Sequence, residues 1–121
     1  MKTVLVVLAT AIMSLSCNRS RDWEITRFDE DSIIIDVRTA KEYRAGHLEN
    51  AVNIPHTEIA AKIADHAKNK EDKIILYCRS GRRSGIAKKI LVDIGYTCVV
   101  NAGAYTKLKE QEDKRRRQTE E

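Results

Sequence analysis

Three short apolar runs constrain the fold of this 121-residue chain more than any other feature of its sequence. They occupy residues 32–37, 74–77 and 97–100, and each is continuous rather than alternating. A strand with one solvent-exposed face alternates apolar and polar residues, whereas a strand covered by helices on both faces is apolar throughout. The runs therefore predict buried strands of a parallel sheet.

Helical signals fill the stretches between these runs. Residues 39–45 begin with Thr39, a candidate N-cap, and stop before Gly46. Two further stretches place apolar side chains on one helical face: Ile59, Ile63 and Ala67 in residues 57–68, and Ile86, Ile90, Leu91 and Ile94 in residues 84–94. A short strand is expected at residues 51–55, and a last helix near Tyr105. This alternation predicts the α/β class, with a mainly parallel central sheet flanked by helices in three layers.

Composition excludes several classes of protein. Hydrophobic residues make up 42% of the chain and charged residues 33%, which suits one ordinary globular core. The net charge of +4 is small and both signs are mixed along the chain, so we expect no nucleic-acid partner. The three histidines and three cysteines are scattered, without a Cys-x-x-Cys pair, so we expect no metal and no cofactor. Residues 109–121 are predicted to be a charged tail that forms the solvated, fraying end of the last helix.

The N-terminus predicts export. Lys2 precedes an apolar run, residues 3–13, that is too short to span a bilayer comfortably. Ser14 and Ser16 then place small residues before Cys17, as a signal-peptidase site requires. Residues 1–16 are therefore predicted to be a signal peptide, and residues 17–30 a linker. Cys17 is also a lipidation candidate, which would make the membrane a partner through a lipid anchor alone.

The segment from Cys78 onward carries the chemistry. Cys78 follows a predicted strand, and a helix is expected to begin near Ser84. In parallel α/β sheets, ligands bind where strands end and the next helices begin. Backbone N–H groups and a helix N-terminus at such a junction lower a thiol pKa and bind anions. A buried structural cysteine is the alternative interpretation.

Charge supports an anion site at this position. From residue 74 to residue 92 the chain contains five basic residues and no acidic residue: Arg79, Arg82, Arg83, Lys88 and Lys89. Gly81 allows a tight turn between them. A cysteine loop, defined here as residues 78–83, is therefore predicted to attract small anions.

Several separated motifs together resemble a known family. They are Asp36-Val37-Arg38, Glu42-Tyr43, Gly46-His47-Leu48, Ala51 with Asn53, Ile54 and Pro55, the segment 78–85, Gly95-Tyr96, and Asn101-Ala102-Gly103. In this order they are similar to a single-domain rhodanese over residues 31–108. With a signal sequence in front, the chain most resembles the small periplasmic phage-shock type of that family.

The resemblance implies a sulfurtransferase with a rhodanese-like fold. Cys78 would carry sulfur as a persulfide, taken from thiosulfate or a similar anion and passed to cyanide, a thiol or a thiol protein. The implied substrate-binding residues follow Cys78 directly: Arg79, Ser80, Gly81, Arg82, Arg83 and Ser84. Arg83 has a second possible role, pairing with Asp36 below the loop. Asp36 and Arg38 are expected to support the site structurally, and so is His47.

Three other functions stay open at this level. A phosphatase of related fold also uses a cysteine in an anion-binding loop, but its loop has five residues between cysteine and arginine, against four between Cys78 and Arg83. A binding module without activity would need neither Cys78 nor the basic loop. A redox sensor would have Cys78 oxidised instead of loaded with sulfur. Cys98 lies in an apolar run and is expected to be a buried core residue rather than a resolving thiol.

Overall fold

A computed structural model describes residues 31–120 of the chain. The predicted signal peptide, the lipidation candidate Cys17 and the linker lie outside the described residues. The sheet has four strands: β1 (Ile33–Asp36), β2 (Val52–Asn53), β3 (Ile74–Cys78) and β4 (Val99–Ala104). Their order is β2-β1-β3-β4, and every neighbouring pair is parallel. The predicted α/β class with a parallel sheet is confirmed.

Within residues 31–120, three helices and two 3₁₀ turns connect the strands, and a fourth helix follows the last strand. The helices are α1 (Ala40–Ala45), α2 (Ile59–Lys62), α3 (Arg82–Asp93) and α4 (Tyr105–Thr119). Short 3₁₀ turns at His56–Glu58 and Ile63–Asp65 flank α2. The continuous helix predicted for residues 57–68 is therefore wrong, although Ile59, Ile63 and Ala67 are buried as expected. The rest of the segment is exposed, and its short helices have no side-chain cap. The backbone of the segment is therefore held in place mainly by the burial of these three side chains.

The two faces of the sheet are covered by different helices. On one face, β1 and β3 contribute Ile35 and Leu76 to a core that includes Ile59 of α2 and Leu91 of α3. On the other face, Tyr77 packs in a cluster that includes residues from α1, the loop after it and α4, among them Tyr43, Leu48, Tyr105 and Leu108. The molecule thus has three layers, helices over sheet over helices. Successive residues of β3 serve opposite layers.

Helix α3 differs from its prediction in both its start and its buried face. It begins at Arg82 rather than near Ser84. The predicted apolar stripe is wrong at its ends, because Ile86 is 41% exposed and Ile94 is 40% exposed. The buried residues are instead Ser84, Ala87 and Leu91. A polar residue therefore begins the face that packs on the sheet.

Helix α4 takes in most of the segment that was predicted to be a solvated tail. The helix is continuous through Thr119, and Glu112 is buried within it. A carboxylate oxygen of Glu112 accepts a hydrogen bond from the backbone N–H of Glu49 at 3.0 Å, and the other contacts Lys109 Nζ at 3.0 Å. The hydrogen bond between Glu112 and Glu49 thus joins the helix to the loop after α1. Among residues 31–120, none of the helices has the length and apolar character needed to cross a bilayer.

Candidate active site

Cys78 is the last residue of β3, at the carboxyl edge of the parallel sheet. The chain then turns at Gly81, whose φ of 96° lies in the left-handed region that favours glycine. Gly81 also serves as the N-cap of α3, and a Cβ there would lie 3.4 Å from the Cα of Gly103 on β4. The cysteine loop is thus folded tightly over the end of the sheet. Glycine is required at position 81 for its φ.

The Cys78 sulfur is surrounded by hydrogen-bond donors. The backbone N–H of Gly81 donates to Sγ at 2.9 Å, and Ser84 Oγ lies 3.4 Å from Sγ. Burial alone raises the pKa of the Cys78 thiol, but hydrogen bonds from the Ser84 hydroxyl and from the backbone of Ser84, Ser80 and Gly81 outweigh it, so the pKa is lowered. The site therefore favours a thiolate, which is the nucleophilic form of cysteine.

Arg83 does not pair with Asp36, the second role considered for it. Its Nη1 and Nη2 donate to the two carboxylate oxygens of Glu42 at 2.7 and 3.0 Å. Glu42 also completes a capping box with Thr39 at the start of α1. The hydrogen bond from Arg83 lowers the pKa of Glu42 to about 2, against the opposing effect of burial. This bidentate pair ties the end of the cysteine loop to α1.

Asp36 pairs with Arg38 instead, in a buried network below the loop. Arg38 Nε and Nη2 donate to Asp36 at 2.9 and 2.7 Å, and Nη2 also contacts the carbonyl oxygen of Gly46 at 2.6 Å. Tyr77 Oη donates to Asp36 Oδ2 at 3.0 Å, and burial raises the Tyr77 pKa, which keeps that proton in place. The Tyr105 ring lies 4.2 Å from the Arg38 guanidinium carbon. Both charged residues thus support the sheet edge and do not reach the sulfur.

The outer rim of the site is basic and polar. Arg79, Ser80 and Arg82 are exposed, while Cys78 itself has 0% exposure. In the described part of the chain, neither Arg79 nor Arg82 has an ion-pair partner. Their guanidinium groups are therefore available to an anion at the loop mouth. A molecule that reacts with the sulfur must approach past these side chains.

The remaining candidates lie apart from the sulfur chemistry. His47 Nδ1 contacts the carbonyl oxygen of Tyr43 at 2.8 Å and its ring stacks on the Tyr43 ring, which is a structural role. Cys98 is buried just before β4. Across residues 31–120, no group of three His, Cys, Asp or Glu side chains is placed as metal ligands would be.

The sequence-based prediction missed two residues of the site. Glu42 was noted only as part of a motif, and the structure makes it the partner of Arg83. Asn101 was likewise noted only as a motif residue, and its side chain contacts both Ser84 and Gly81. The absence of acidic residues among the basic residues of segment 74–92 indicated that a carboxylate partner would come from another part of the chain. No signal in the sequence distinguishes Asn101 from other polar residues near strand ends.

The site is thus a cysteine with a lowered pKa, enclosed by loop amides between a parallel strand and a basic helix start of an α/β domain. Comparison with known proteins then gives the family. The chain belongs to the rhodanese family, because the profile of the Rhodanese-like domain matches residues 20–111.

Two curated relatives and one solved structure support the assignment. Thiosulfate sulfurtransferase PspE of Escherichia coli is 46% identical over 69 residues, which are 57% of this chain and 66% of the relative. A putative mitochondrial thiosulfate sulfurtransferase of Schizosaccharomyces pombe is 38% identical over 89 residues, 64% of this chain and 61% of the relative. A rhodanese with anions from E. coli matches with a TM-score of 0.61 at 43% identity, covering 62% of this chain and 88% of that one. The chain thus spans slightly under two thirds of the length of the curated relatives.

Proposed function

We propose that this protein is a sulfurtransferase that carries sulfur as a persulfide on Cys78. The observation that carries the proposal is the 2.9 Å hydrogen bond from Gly81 N–H to Cys78 Sγ, within a ring of donors that lowers the thiol pKa. A preformed thiolate needs no neighbouring base to act as a nucleophile. Relatives with the name thiosulfate sulfurtransferase support the same reaction.

The reaction balances in two steps. The Cys78 thiolate attacks the outer sulfur of thiosulfate and forms a new S–S bond. The original S–S bond breaks, and its electron pair leaves with sulfite. An acceptor nucleophile, either cyanide or a thiolate, then attacks the outer sulfur of the persulfide. The Cys78 thiolate leaves with its electron pair and is ready for another donor.

The loop residues divide into two roles in this proposal. Arg79 and Arg82 hold the sulfonate oxygens of the donor by charge-assisted hydrogen bonds, since both are exposed and unpaired within residues 31–120. Ser80, Gly81 and Ser84 supply the donors around the sulfur. Arg83 was also predicted to bind substrate, but its pair with Glu42 favours a bracing role for it.

Burial of Cys78 narrows the choice of donor. The residue has 0% exposure, so a donor must offer a slender terminal sulfur that passes the loop side chains. Thiosulfate and persulfides both have such a sulfur, bonded to a second sulfur that can leave with the electron pair. The physiological acceptor is a small thiol, a thiol protein or cyanide, and it must reach the persulfide through the same opening of the cysteine loop.

The test is the intact mass of the purified protein after incubation with thiosulfate, followed by cyanide. The wild type should gain one sulfur atom and lose it to cyanide as thiocyanate, while Cys78→Ser should gain none. If no sulfane donor loads the wild type, the proposal is refuted. Assays for phosphatase activity and for a Cys78 sulfenic acid would then separate the phosphatase and redox-sensor alternatives.

We further propose that the protein is exported and that Cys17 becomes its lipidated N-terminus. The support is the apolar run 3–13 and the small residues before Cys17. Expression of the full chain should give a mature form whose N-terminal residue is Cys17 with attached lipid, and globomycin should block its maturation. A mature protein with unmodified Cys17 would leave simple secretion, and an uncleaved chain would refute both.

A further inference from the structure

Asn101 contacts the cysteine loop from the neighbouring strand β4. Its Oδ1 accepts a hydrogen bond from Gly103 N–H at 3.1 Å and lies 2.7 Å from Ser84 Oγ, while its Nδ2 donates to the carbonyl oxygen of Gly81 at 3.1 Å. These contacts fix the orientation of the amide, because a flipped amide would point its NH₂ at the N–H of Gly103. Asn101 Oδ1 is therefore an acceptor for the Ser84 hydroxyl.

The Ser84 hydroxyl has one proton and three acceptors within reach. They are Asn101 Oδ1 at 2.7 Å, the carbonyl oxygen of Gly81 at 3.1 Å and Cys78 Sγ at 3.4 Å. The carbonyl oxygen of Gly81 already accepts from Asn101 Nδ2 and from the N–H of Gly85 at 3.0 Å, which uses both of its lone pairs. The Ser84 proton therefore chooses between Asn101 and the sulfur.

The charge on the sulfur decides that choice. A neutral thiol is a weak acceptor, so the shorter contact with Asn101 Oδ1 holds the proton while Cys78 is neutral. A hydrogen bond to a thiolate is charge-assisted and about twice as strong as a neutral one. Rotation about the Ser84 Cβ–Oγ bond then turns the proton to the sulfur. No proton leaves Ser84 in this change.

We propose that Asn101 is a positioning residue, which holds the proton of the Ser84 hydroxyl while Cys78 is neutral and releases it to the sulfur whenever the sulfur is negatively charged. The inference rests on the proposed function, in which Cys78 is a thiolate before it attacks the donor and again after the acceptor removes the sulfur. Asn101 contacts Ser84 and the loop backbone, and it acts on the sulfur through the Ser84 hydroxyl.

Other charged groups near the sulfur belong to elements that the Asn101 variants leave intact. Arg83 interacts electrostatically with Cys78 and is itself paired with Glu42 of α1. Strand β4 contributes no ionisable side chain. The charged groups on the loop and on the elements packed against β3 and α3 are Arg79, Arg82, Arg83, Lys88, Lys89, Asp93, Asp36, Arg38, His56, Glu58 and Lys62.

The test measures the pKa of Cys78 from the pH dependence of its alkylation by iodoacetamide, with the modified residue identified by peptide mass. Because hydrogen bonds to charged groups contribute about 1.5 to 3 kcal/mol, Ser84→Ala should raise this pKa by about one unit. Asn101→Ala should lower it, because it removes the acceptor that competes with the sulfur for the Ser84 proton. The double variant should match Ser84→Ala, because Asn101 acts on the sulfur only through the Ser84 hydroxyl.

Asn53→Ala is the matched control. Asn53 is also partly buried in the sheet, and its Nδ2 donates to the backbone of Asp36 and Arg38 at 3.0 Å, away from the sulfur. It should leave the Cys78 pKa unchanged. An unchanged pKa in Asn101→Ala, an equal shift in Asn53→Ala, or additive effects of Asn101→Ala and Ser84→Ala would each overturn the proposal.

Asn101→Asp covers the case in which Asn101→Ala does not fold, because it keeps the side-chain shape. It should raise the Cys78 pKa. The direct effect of the new charge on Cys78 is the same with and without the Ser84 hydroxyl. The rise should therefore be smaller in the Ser84→Ala background, where only that direct effect remains. An equal rise in both backgrounds would overturn the proposal. If the variants shift the Cys78 pKa as expected but the wild type forms no persulfide, the proposed function alone is refuted.

Discussion

At the scale of single residues, the character of Cys78 comes from hydrogen bonds more than from neighbouring charge. Gly81 and Ser84 supply the donors that lower its pKa. Arg83, which interacts electrostatically with Cys78, is paired with Glu42, so the net charge of the pair near the sulfur is small. Glu42 thus contributes to the position of the loop and to the stability of α1, where it forms the capping box with Thr39.

Glu42→Gln should lower the free energy of unfolding at neutral pH by about 1 kcal/mol, because it removes a bidentate ion pair but keeps a side chain able to cap. The pKa of Glu42 is about 2 in the folded protein against a usual 4.5, so the charged form is the stabilising one. The difference between wild type and variant is therefore fully present above pH 4.5 and declines as pH falls toward 2. Urea denaturation at a series of pH values measures it.

Glu58→Gln is the control for this prediction. Glu58 pairs with Lys62 at 3.2 Å, but both side chains are about half exposed, at 46% and 53%. An exposed pair of this kind contributes little, so the variant should unfold within about 0.5 kcal/mol of wild type. Equal effects of Glu42→Gln and Glu58→Gln would contradict the role assigned to the Glu42–Arg83 pair.

The sequence predicts Cys78 and its loop because their signal is local: a strand, a glycine and a row of arginines are adjacent in the chain. Glu42 and Asn101 escaped prediction because their partners lie 41 and 17 to 20 residues away. The predicted pairing of Asp36 with Arg83 was also wrong, because it too required a distance in space that sequence spacing does not give. Asp36 found a nearer partner in Arg38, two residues along, and sequence spacing cannot rank two arginines by their distance in space.

At the scale of elements, helix α3 shows how a functional contact overrides an apolar pattern. The apolar pattern predicted a face made of Ile86, Ile90, Leu91 and Ile94, yet of these only Leu91 is fully buried, together with Ser84 and Ala87. Ser84 is buried because Cys78 and Asn101 satisfy its hydroxyl. The strands were predicted well because burial on both faces leaves a continuous apolar run, although β4 continues four residues beyond the predicted end at residue 100.

Helix α4 offers a test of how much of the charged C-terminal segment belongs to the folded domain. Glu112→Ala should lower the free energy of unfolding by about 1 to 2 kcal/mol, because it leaves the Glu49 N–H without its acceptor and Lys109 with Asp113 alone. Glu110, two residues away on the same helix, is exposed. Glu110→Ala should stay within about 0.5 kcal/mol of wild type in the same denaturation experiment. Equal stability of the two variants would show that the segment is a solvated tail, as the sequence had suggested.

At the scale of the whole molecule, the Asp36–Arg38 pair connects the layers. Asp36 accepts from Tyr77 of β3, and Tyr77 Oη in turn accepts from the backbone N–H of Leu48 at 3.1 Å. Arg38 reaches the carbonyl oxygen of Gly46 and lies against the Tyr105 ring of α4. The sheet, the loop after α1 and the last helix thus share one buried polar network.

Asp36→Asn should destabilise the protein by about 3 to 5 kcal/mol, because it leaves the buried Arg38 charge without a counter-charge. Adding Arg38→Met should recover part of that loss, since the double variant buries no charge. Chemical denaturation of both variants and the wild type measures the coupling. A double variant less stable than Asp36→Asn would show that Arg38 contributes more through Gly46 and Tyr105 than through its ion pair.

The strand order has a consequence for the time at which the cysteine loop is complete. Strand β3 lies between β1, which precedes it in the chain, and β4, which follows it. A growing polypeptide that ends before residue 99 already contains Cys78 and its loop, but it lacks the strand on which Asn101 and Gly103 lie. Its loop is not yet held against Asn101 and Gly103. The donors around Cys78 therefore take their final positions only when synthesis has passed β4 and the sheet has closed, and an unfinished or cleaved chain does not present the completed loop.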